Sequence, residues 1–200
     1  MLRTAGRRTL TAVPVPAATR ELALAEARAM FARGERIEMG ALAEHLGVNR
    51  VTLYRWVGSR ESLLAELLWE RMERGLRRAD GRARRAGKHG TNRLSAVLLG
   101  VFAAAGSGSA ERVFAQREGA LAMRVMTSGV VHDRMIEWLA TAIEEETDAG
   151  RIAPSHPARQ VADIVIKSGE AVFWFGMASG RGVDRANVKV ILAALCPPTG

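Results

Sequence analysis

The chain has 200 residues, of which 48% are hydrophobic and 5% aromatic, and its formal charge is +8. This length suits one large domain or two small ones, with enough apolar residues for a sizeable interior. Cys196 is the single cysteine, which excludes an intrachain disulfide and favours a reducing compartment. No apolar run is long enough to span a bilayer, and the residues after Arg7-Arg8 lack the apolar core of an export signal, so we expect a cytoplasmic protein.

The composition favours an all-α fold. Ala, Leu, Arg and Glu abound, and all four favour helix, whereas Val and Ile seldom alternate with polar residues as they would in strands. The periodicity predicts about nine helices, at 17–33, 39–46, 50–57, 59–80, 92–105, 110–126, 130–148, 158–177 and 184–195. The basic residues 1–16 are expected to form a loose arm, and the polar, glycine-rich residues 81–92 a loop.

The positive charge is confined to one part of the chain. Residues 1–90 hold 18 Lys+Arg against 10 Asp+Glu, whereas residues 91–200 hold 11 of each. This distribution is expected if the N-terminal part alone meets a polyanion such as nucleic acid. An anionic membrane surface is the competing partner.

Two short predicted helices are joined by the turn Gly47-Val48-Asn49. A short helix, a glycine turn and a second short helix describe the helix-turn-helix DNA reader, whose second helix enters the major groove. Gly47 allows the left-handed backbone of such a turn, and Asn49 is a good N-cap for the second helix. We expect Val48 and Leu53 to face inward and Trp56 to pack the head together.

The outward residues are the candidate DNA contacts. Arg50 could read guanine through two hydrogen bonds, and the methyl groups of Val51 and Thr52 could meet thymine. Phosphates could be contacted by the Tyr54 hydroxyl, by Arg60 and by the backbone N–H groups at a helix start capped by Ser59. The full predicted set is Asn49, Arg50, Val51, Thr52, Tyr54, Arg55, Ser59 and Arg60.

The run AEHLGVNRVTLYRWVGSRESL at residues 43–63 resembles the DNA-binding signature of TetR-type repressors, A-x-x-x-G-V-S-x-x-T-L-Y-x-x-F-x-S-K-E-x-L. Two departures concern expected contacts: Asn49 stands in place of Ser, and Arg60 stands in place of Lys at the phosphate-contact position. The resemblance implies an arm at 1–16, a DNA-binding head at 17–62 and a helical ligand-binding and dimerisation domain at 63–200.

The resemblance also implies a mechanism. In this family the last two helices of each subunit form a homodimer interface, and a small molecule shifts the fourth helix. The two heads then no longer match two half-sites about one DNA turn apart, and the operator is released. A further resemblance, to family members that control quorum-signal (lactone) degradation, implies a lactone with an alkyl tail as effector.

The C-terminal part offers candidate ligand contacts. A pocket for a largely apolar molecule with a polar end would use adaptable methionines and aromatics. Glu170 lies among aromatics on the helical stretch 161–177, either as a ligand anchor or as an interface residue paired with an arginine. His132 and Arg124 could orient a polar head or could be solvated. The predicted set is Phe102, Met123, Met126, Trp138, Glu170, Phe173, Trp174 and Met177.

We find no sign of catalysis, of a metal or of a cofactor. The four histidines are scattered, and the chain lacks a phosphate-binding loop and a G-x-S-x-G nucleophile motif. The acidic run at 144–146 is expected at a solvated helix end. The sequence therefore predicts a ligand-responsive, dimeric repressor without enzymatic activity. The alternatives are an activator or a nucleoid-type DNA binder of the same fold, or a helical small-molecule-binding protein or enzyme.

Overall fold

The computed structural model describes residues 19–104, 108–180 and 184–199, and the secondary-structure elements within these ranges are all α-helices. The predicted basic arm lies outside the described residues. The helices are α1 (Arg20–Ala32), α2 (Met39–His45), α3 (Arg50–Val57), α4 (Arg60–Arg85), α5 (Gly90–Ala104), α6 (Ala110–Glu118), α7 (Ala120–Thr127), α8 (Val130–Asp148), α9 (Ala158–Ser179) and α10 (Arg185–Leu195). The all-α prediction is confirmed.

Two predicted boundaries differ from the structure. The single helix expected over 110–126 is divided into α6 and α7 at Gly119, whose φ of 44° belongs to the left-handed region. The loop expected over 81–92 is confined to residues 86–89, because α4 continues to Arg85 and α5 begins at Gly90. Ala83 is buried one turn beyond Ala79, so the apolar face of α4 extends past the polar residues that suggested a loop.

The N-terminal head packs α1, α2, α3 and the start of α4 around one core. Its members include Leu24, Phe31, Leu42 and Leu53, all almost fully buried. Side chains cap three of these helices: Thr19 accepts from the N–H of Leu22, Asn49 from that of Val51, and Ser59 from that of Ser62. Each cap satisfies a donor that the first helical turn leaves free and so fixes where the helix begins.

Helix α4 belongs to both cores of the molecule. Leu63, Leu64, Leu67 and Leu68 are buried in the head core. Further along the same helix, Leu76, Ala79 and Ala83 belong to a second core built with α5, α8, α9 and α10. Because the head core and the second core both bury residues of α4, a displacement of this helix changes the packing of both cores.

A buried ionic network ties α4, α5 and α8 together. The Arg93 guanidinium donates to Asp80 and to Glu146, each at 2.7 Å, and the N–H of Gly90 donates to Glu146 at 2.6 Å. Burial alone would raise the pKa of Glu146, but the hydrogen bonds from Arg93 and Gly90 lower it overall. The expectation of a solvated acidic run is thus wrong for Glu146, whose side chain is 1% exposed.

Among the described residues, no helix has the length and apolarity needed to cross a membrane.

Candidate DNA-binding face and effector cavity

The turn between α2 and α3 has the geometry that its residues predict. Gly47 has a φ of 64°, and its N–H donates to the carbonyl of Glu44 while that of Val48 donates to the carbonyl of Ala43. These bonds end α2 with a left-handed glycine, as in a Schellman motif. The Asn49 side chain then starts α3 at once by accepting from the N–H of Val51 at 2.8 Å.

The two faces of α3 differ sharply in exposure. Leu53 is fully buried and Val57 is 5% exposed, which anchors the inner face. On the outer face Val51 is 74% exposed and Tyr54 48% exposed. The arginines and Asn49 are exposed too, while Thr52 is half-buried. An exposed valine beside a tyrosine and two arginines is the composition expected of a surface that meets base edges and phosphates.

Trp56 packs against the head core, as expected. Its backbone carbonyl also accepts from Arg20 Nε at 2.9 Å, and the same guanidinium pairs with Glu66 at 3.1 Å. Arg20 therefore connects α1, the end of α3 and α4. This arrangement fixes the orientation of α3 relative to the rest of the head.

Arg50 lies over α2, where the guanidinium contacts Gly40. A Cβ at Gly40 would overlap this group, so the glycine leaves room for it. Arg50 makes no hydrogen bond or ion pair to the described part of the chain, and it is exposed. The end of a flexible, unpaired side chain can turn toward a base edge at little cost.

Ser59 and Arg60 already have partners within the protein. The Ser59 hydroxyl accepts from the N–H of Ser62 at 3.0 Å. Arg60 donates from Nε to the carbonyl of Ile37 at 2.5 Å and pairs through Nη2 with Glu118 at 2.7 Å. The hydrogen bond from Arg60 lowers the pKa of Glu118, so this carboxylate stays charged. A phosphate contact by Arg60 would have to compete with this ion pair.

A cavity of about 350 Å³ lies between α4 and α9, is partly open to solvent, and is also lined by residues of α5, α6, α7, α8 and α10. It brings together five of the eight residues predicted to bind ligand: Phe102, Met126, Glu170, Phe173 and Trp174. The other three do not line it. Met123 is 46% exposed on α7, and Trp138 and Met177 pack half-buried against the two cores.

The wall that α4 contributes to the cavity was not predicted from the sequence. This wall consists of Leu68, Arg71, Met72, Arg74, Gly75 and Arg78. Their spacing of three and four residues places them on one face of a helix, so the pattern was available in the sequence. Arg71 pairs with Glu111 of α6, and both residues line the cavity.

Glu170 faces a histidine rather than the arginine that one interpretation expected. His132 Nδ1 lies 2.8 Å from Glu170 Oε1, and burial raises the pKa of Glu170 although the histidine opposes this shift. His132 is itself buried, so the solvated alternative is wrong for it. Arg124 is exposed and lies 3.8 Å from Glu61 at the start of α4.

Comparisons with known proteins agree with this architecture. Residues 89–197 match the family model described as "Tetracyclin repressor-like, C-terminal domain". Among curated protein sequences, none matches the chain.

Two solved structures are similar over nearly the whole chain. One is the transcriptional repressor QsdR of R. erythropolis, from the TetR family, with a TM-score of 0.79 and 27% identity over 90% of this chain and 95% of that one. The other is a protein of unknown function from Rhodococcus sp. RHA1, with a TM-score of 0.53 and 18% identity over 88% of this chain and 94% of that one. The second likeness concerns the fold alone.

Proposed function

The chain belongs to the TetR family of transcriptional regulators, and on that premise we propose that it is a homodimeric repressor, released from a palindromic operator by a small, largely apolar effector. The main support for the proposal is the contrast in exposure between the two faces of α3. Its inner face is anchored by the buried Leu53, and its outer face presents Val51 and Tyr54 to solvent. A helix held in this way, at the second position of a helix-turn-helix, is suited to the major groove.

Contacts to phosphate would supply most of the affinity, and Arg50 would supply base selection. The excess positive charge is in residues 1–90, which include the whole head. Binding should therefore weaken steeply with salt. The unpaired Arg50 at the start of α3 is placed where the recognition helices of this motif meet base edges.

Dimerisation through α9 and α10 is supported by apolar side chains left at the surface. Phe175 is 68% exposed, Val190 65% and Ile164 38%. Two helices that already pack against each other thus present apolar residues outward, and burying them removes a large apolar area from water. A two-fold dimer places the heads for a palindrome, because operator symmetry mirrors protein symmetry.

The effector would act through α4. This helix begins at the head and lines the cavity about two to five turns further on, from Leu68 to Arg78. A molecule that fills the cavity must press on this wall, and a displaced α4 moves the head that shares its apolar face. The likeness to the transcriptional repressor QsdR supports a role in repression, and a lactone with an alkyl tail is one effector that would suit an apolar cavity.

Fluorescence anisotropy tests the proposal. The labelled DNA is the sequence immediately upstream of the gene for this protein, with a scrambled duplex as control, and each is titrated at two salt concentrations. We expect salt-sensitive binding that favours the upstream duplex. Equal, weak binding to both duplexes would contradict autoregulation. Footprinting and transcription assays on the same DNA complete the test. Activation of transcription by the bound protein, or a protected region without a defined edge, would contradict repression.

A further inference from the structure

Five charged residues line the effector cavity, and positive charge predominates among them. They are three arginines of α4 and one glutamate each of α6 and α9, namely Arg71, Arg74, Arg78, Glu111 and Glu170. Arg71 pairs with Glu111, with 2.5 Å between Nε and Oε1, so these two charges offset each other. Arg74 and Arg78 remain as the cationic part of the lining.

Glu170 does not balance these two arginines. It lies on α9, across the cavity from α4, and its Oε1 lies 2.8 Å from His132 Nδ1. Burial also raises the pKa of this carboxyl, which works against its negative charge. The acidic residues of the lining are thus engaged by groups other than Arg74 and Arg78.

Arg74 and Arg78 find few acceptors within the protein. Arg78 makes no hydrogen bond or ion pair to any residue that the structure describes, and it is exposed. Arg74 lies 3.9 Å from Glu70 Oε2, but both oxygens of Glu70 already accept from Arg28, at 2.6 and 2.7 Å. Two guanidinium groups beside the cavity therefore have donors free for an external acceptor.

The spacing of the two arginines suits one anion at the open side of the cavity. Positions four apart on a helix are neighbours, with Cβ atoms about 5–6 Å apart, so both side chains can reach the same carboxylate and donate to its two oxygens. Both arginines are exposed and the cavity is partly open. The anion therefore stays in contact with water and avoids the cost of burying a charge.

The rest of the cavity is apolar. Leu98 and Phe102 of α5, Met126 of α7, and Val165 and Phe173 of α9 line it. These side chains suit an alkyl or aromatic body, which loses contact with water on entering. A ligand that satisfies both parts of the lining has an apolar body and one negative charge at its end.

We propose that the effector is an amphiphilic carboxylate, with its head bound by Arg74 and Arg78 of α4 and its apolar body between α4 and α9. This inference rests on the proposed effector site and names the chemistry that it recognises. Because exposed ion pairs contribute little affinity, the apolar body supplies most of the binding, and the two arginines select the charge.

The test compares four eight-carbon probes on the full-length protein by calorimetry at low and high salt. Octanoate carries the proposed head. Octanamide has nearly the same shape without the charge, γ-octalactone is a neutral cyclic ester, and octylammonium reverses the charge. Release of labelled operator DNA by each probe is measured by anisotropy alongside.

We expect octanoate to bind about tenfold more tightly than either neutral probe at low salt, at about threefold for each exposed ion pair, with a smaller difference at high salt. Arg74→Ala and Arg78→Ala should each weaken octanoate about threefold and leave octanamide unchanged. Arg82→Ala, an exposed arginine one turn beyond Arg78 but outside the lining, is the matched control and should change neither. Arg74→Glu combined with Arg78→Glu should reverse the preference and favour octylammonium.

Three results would overturn the inference: no binding of octanoate at millimolar concentrations, affinity for octanamide or γ-octalactone equal to or above that for octanoate, or the same loss of octanoate affinity in Arg82→Ala as in Arg78→Ala. Circular dichroism checks that every variant keeps its helix content.

Failure of the inference can be told apart from failure of the repressor proposal. Selective DNA binding that γ-octalactone releases and octanoate does not would leave repression standing and remove the carboxylate. Octanoate that binds through Arg74 and Arg78 to a protein without DNA selectivity would keep the site and remove the repressor.

Discussion

Arg60, the first residue of α4, and Glu118, the last residue of α6, form an ion pair with 2.7 Å between Nη2 and Oε1. The two side chains are 20% and 10% exposed. Arg60 occupies the position at which the TetR-type signature has a phosphate-contacting lysine, so we expect the carboxylate and DNA to compete for its guanidinium. This pair joins the head to the C-terminal helices.

Glu118→Gln is therefore expected to strengthen binding to every DNA sequence, because it frees Arg60 for phosphate. One added phosphate contact should steepen the slope of log affinity against log salt by about 0.9. Arg60→Ala should weaken binding to all sequences and abolish the effect of Glu118→Gln. Anisotropy at several salt concentrations measures both. Glu111→Gln is the matched control on α6, and an equal change of slope in that variant would refute the competition.

Arg50→Ala is expected to relax sequence preference. Loss of a bidentate contact to guanine costs about 1–3 kcal/mol at the base pair concerned, whereas binding to random DNA should hardly change. Tyr54→Phe should instead weaken specific and random DNA alike, because its hydroxyl is expected at a phosphate. Competition anisotropy with single-base operator variants separates the two patterns. Arg85→Ala, an exposed arginine at the far end of α4, should change neither.

Phe175→Arg combined with Val190→Arg is expected to give a folded monomer. Both residues are more than half exposed in the single chain, so the charges are tolerated there but cannot be buried across a dimer. Sedimentation should show half the mass, circular dichroism an unchanged helix content, and anisotropy a large loss of operator affinity. Val51→Arg, an equally exposed valine on α3, should leave the dimer intact. A dimer that survives the double substitution would place the interface elsewhere.

Gly75→Leu is expected to fill the cavity without disturbing its walls. A Cβ at Gly75 meets no heavy atom within 4 Å, although the residue lines the cavity. The leucine should stabilise α4 by a few tenths of a kcal/mol to about 1 kcal/mol through helix propensity. The variant should bind DNA normally but resist release by any effector. Gly81→Leu on the same helix, outside the lining, should keep release intact.

Arg93→Met is expected to lower the free energy of unfolding by about 3–5 kcal/mol at neutral pH, because it leaves buried carboxylates without their main partner. The pKa of Asp80 and that of Glu146 are both lowered in the folded protein. The stability that these two ionised carboxylates contribute to the parent protein is therefore fully present above the ordinary carboxyl pKa. It is lost as the pH falls through their pKa values in the folded protein. In the variant, burial of these two carboxyls acts without the Arg93 hydrogen bonds that oppose it, so they should take up protons at a higher pH than in the parent. The difference in the free energy of unfolding between variant and parent should therefore shrink as the pH falls from 7 to 4.

Urea unfolding followed by circular dichroism at pH 7, 5 and 4 measures this gap. Arg84→Met is the matched control, because Arg84 also pairs with Asp80 but is 51% exposed. It should cost less than about 1 kcal/mol at every pH, as solvent screens exposed ion pairs. A gap for Arg93→Met that does not depend on pH would mean that the carboxylates are not what this arginine stabilises.

The structure of the head follows from local sequence patterns. The glycine turn at Gly47, the Asn49 cap and the buried Leu53 all depend on residues within a few positions of one another, and local backbone geometry follows from such spacings. The all-α class and most helix boundaries were predictable for the same reason. There are two exceptions: α4 extends further because Ala83 is buried in the second core, and α6 and α7 are divided at Gly119, whose φ is 44°.

The ion pairs and the cavity, by contrast, could not be predicted before the packing of the helices was known. Glu118 lies 58 residues from Arg60, and Arg93 lies 53 residues from Glu146, so no local pattern reveals that these charges are paired. The same holds for the wall that α4 gives to the cavity, whose arginines resemble solvated residues in the sequence. Helical periodicity fixes which residues share a face, but what that face meets depends on how ten helices pack, and packing is a property of the whole chain.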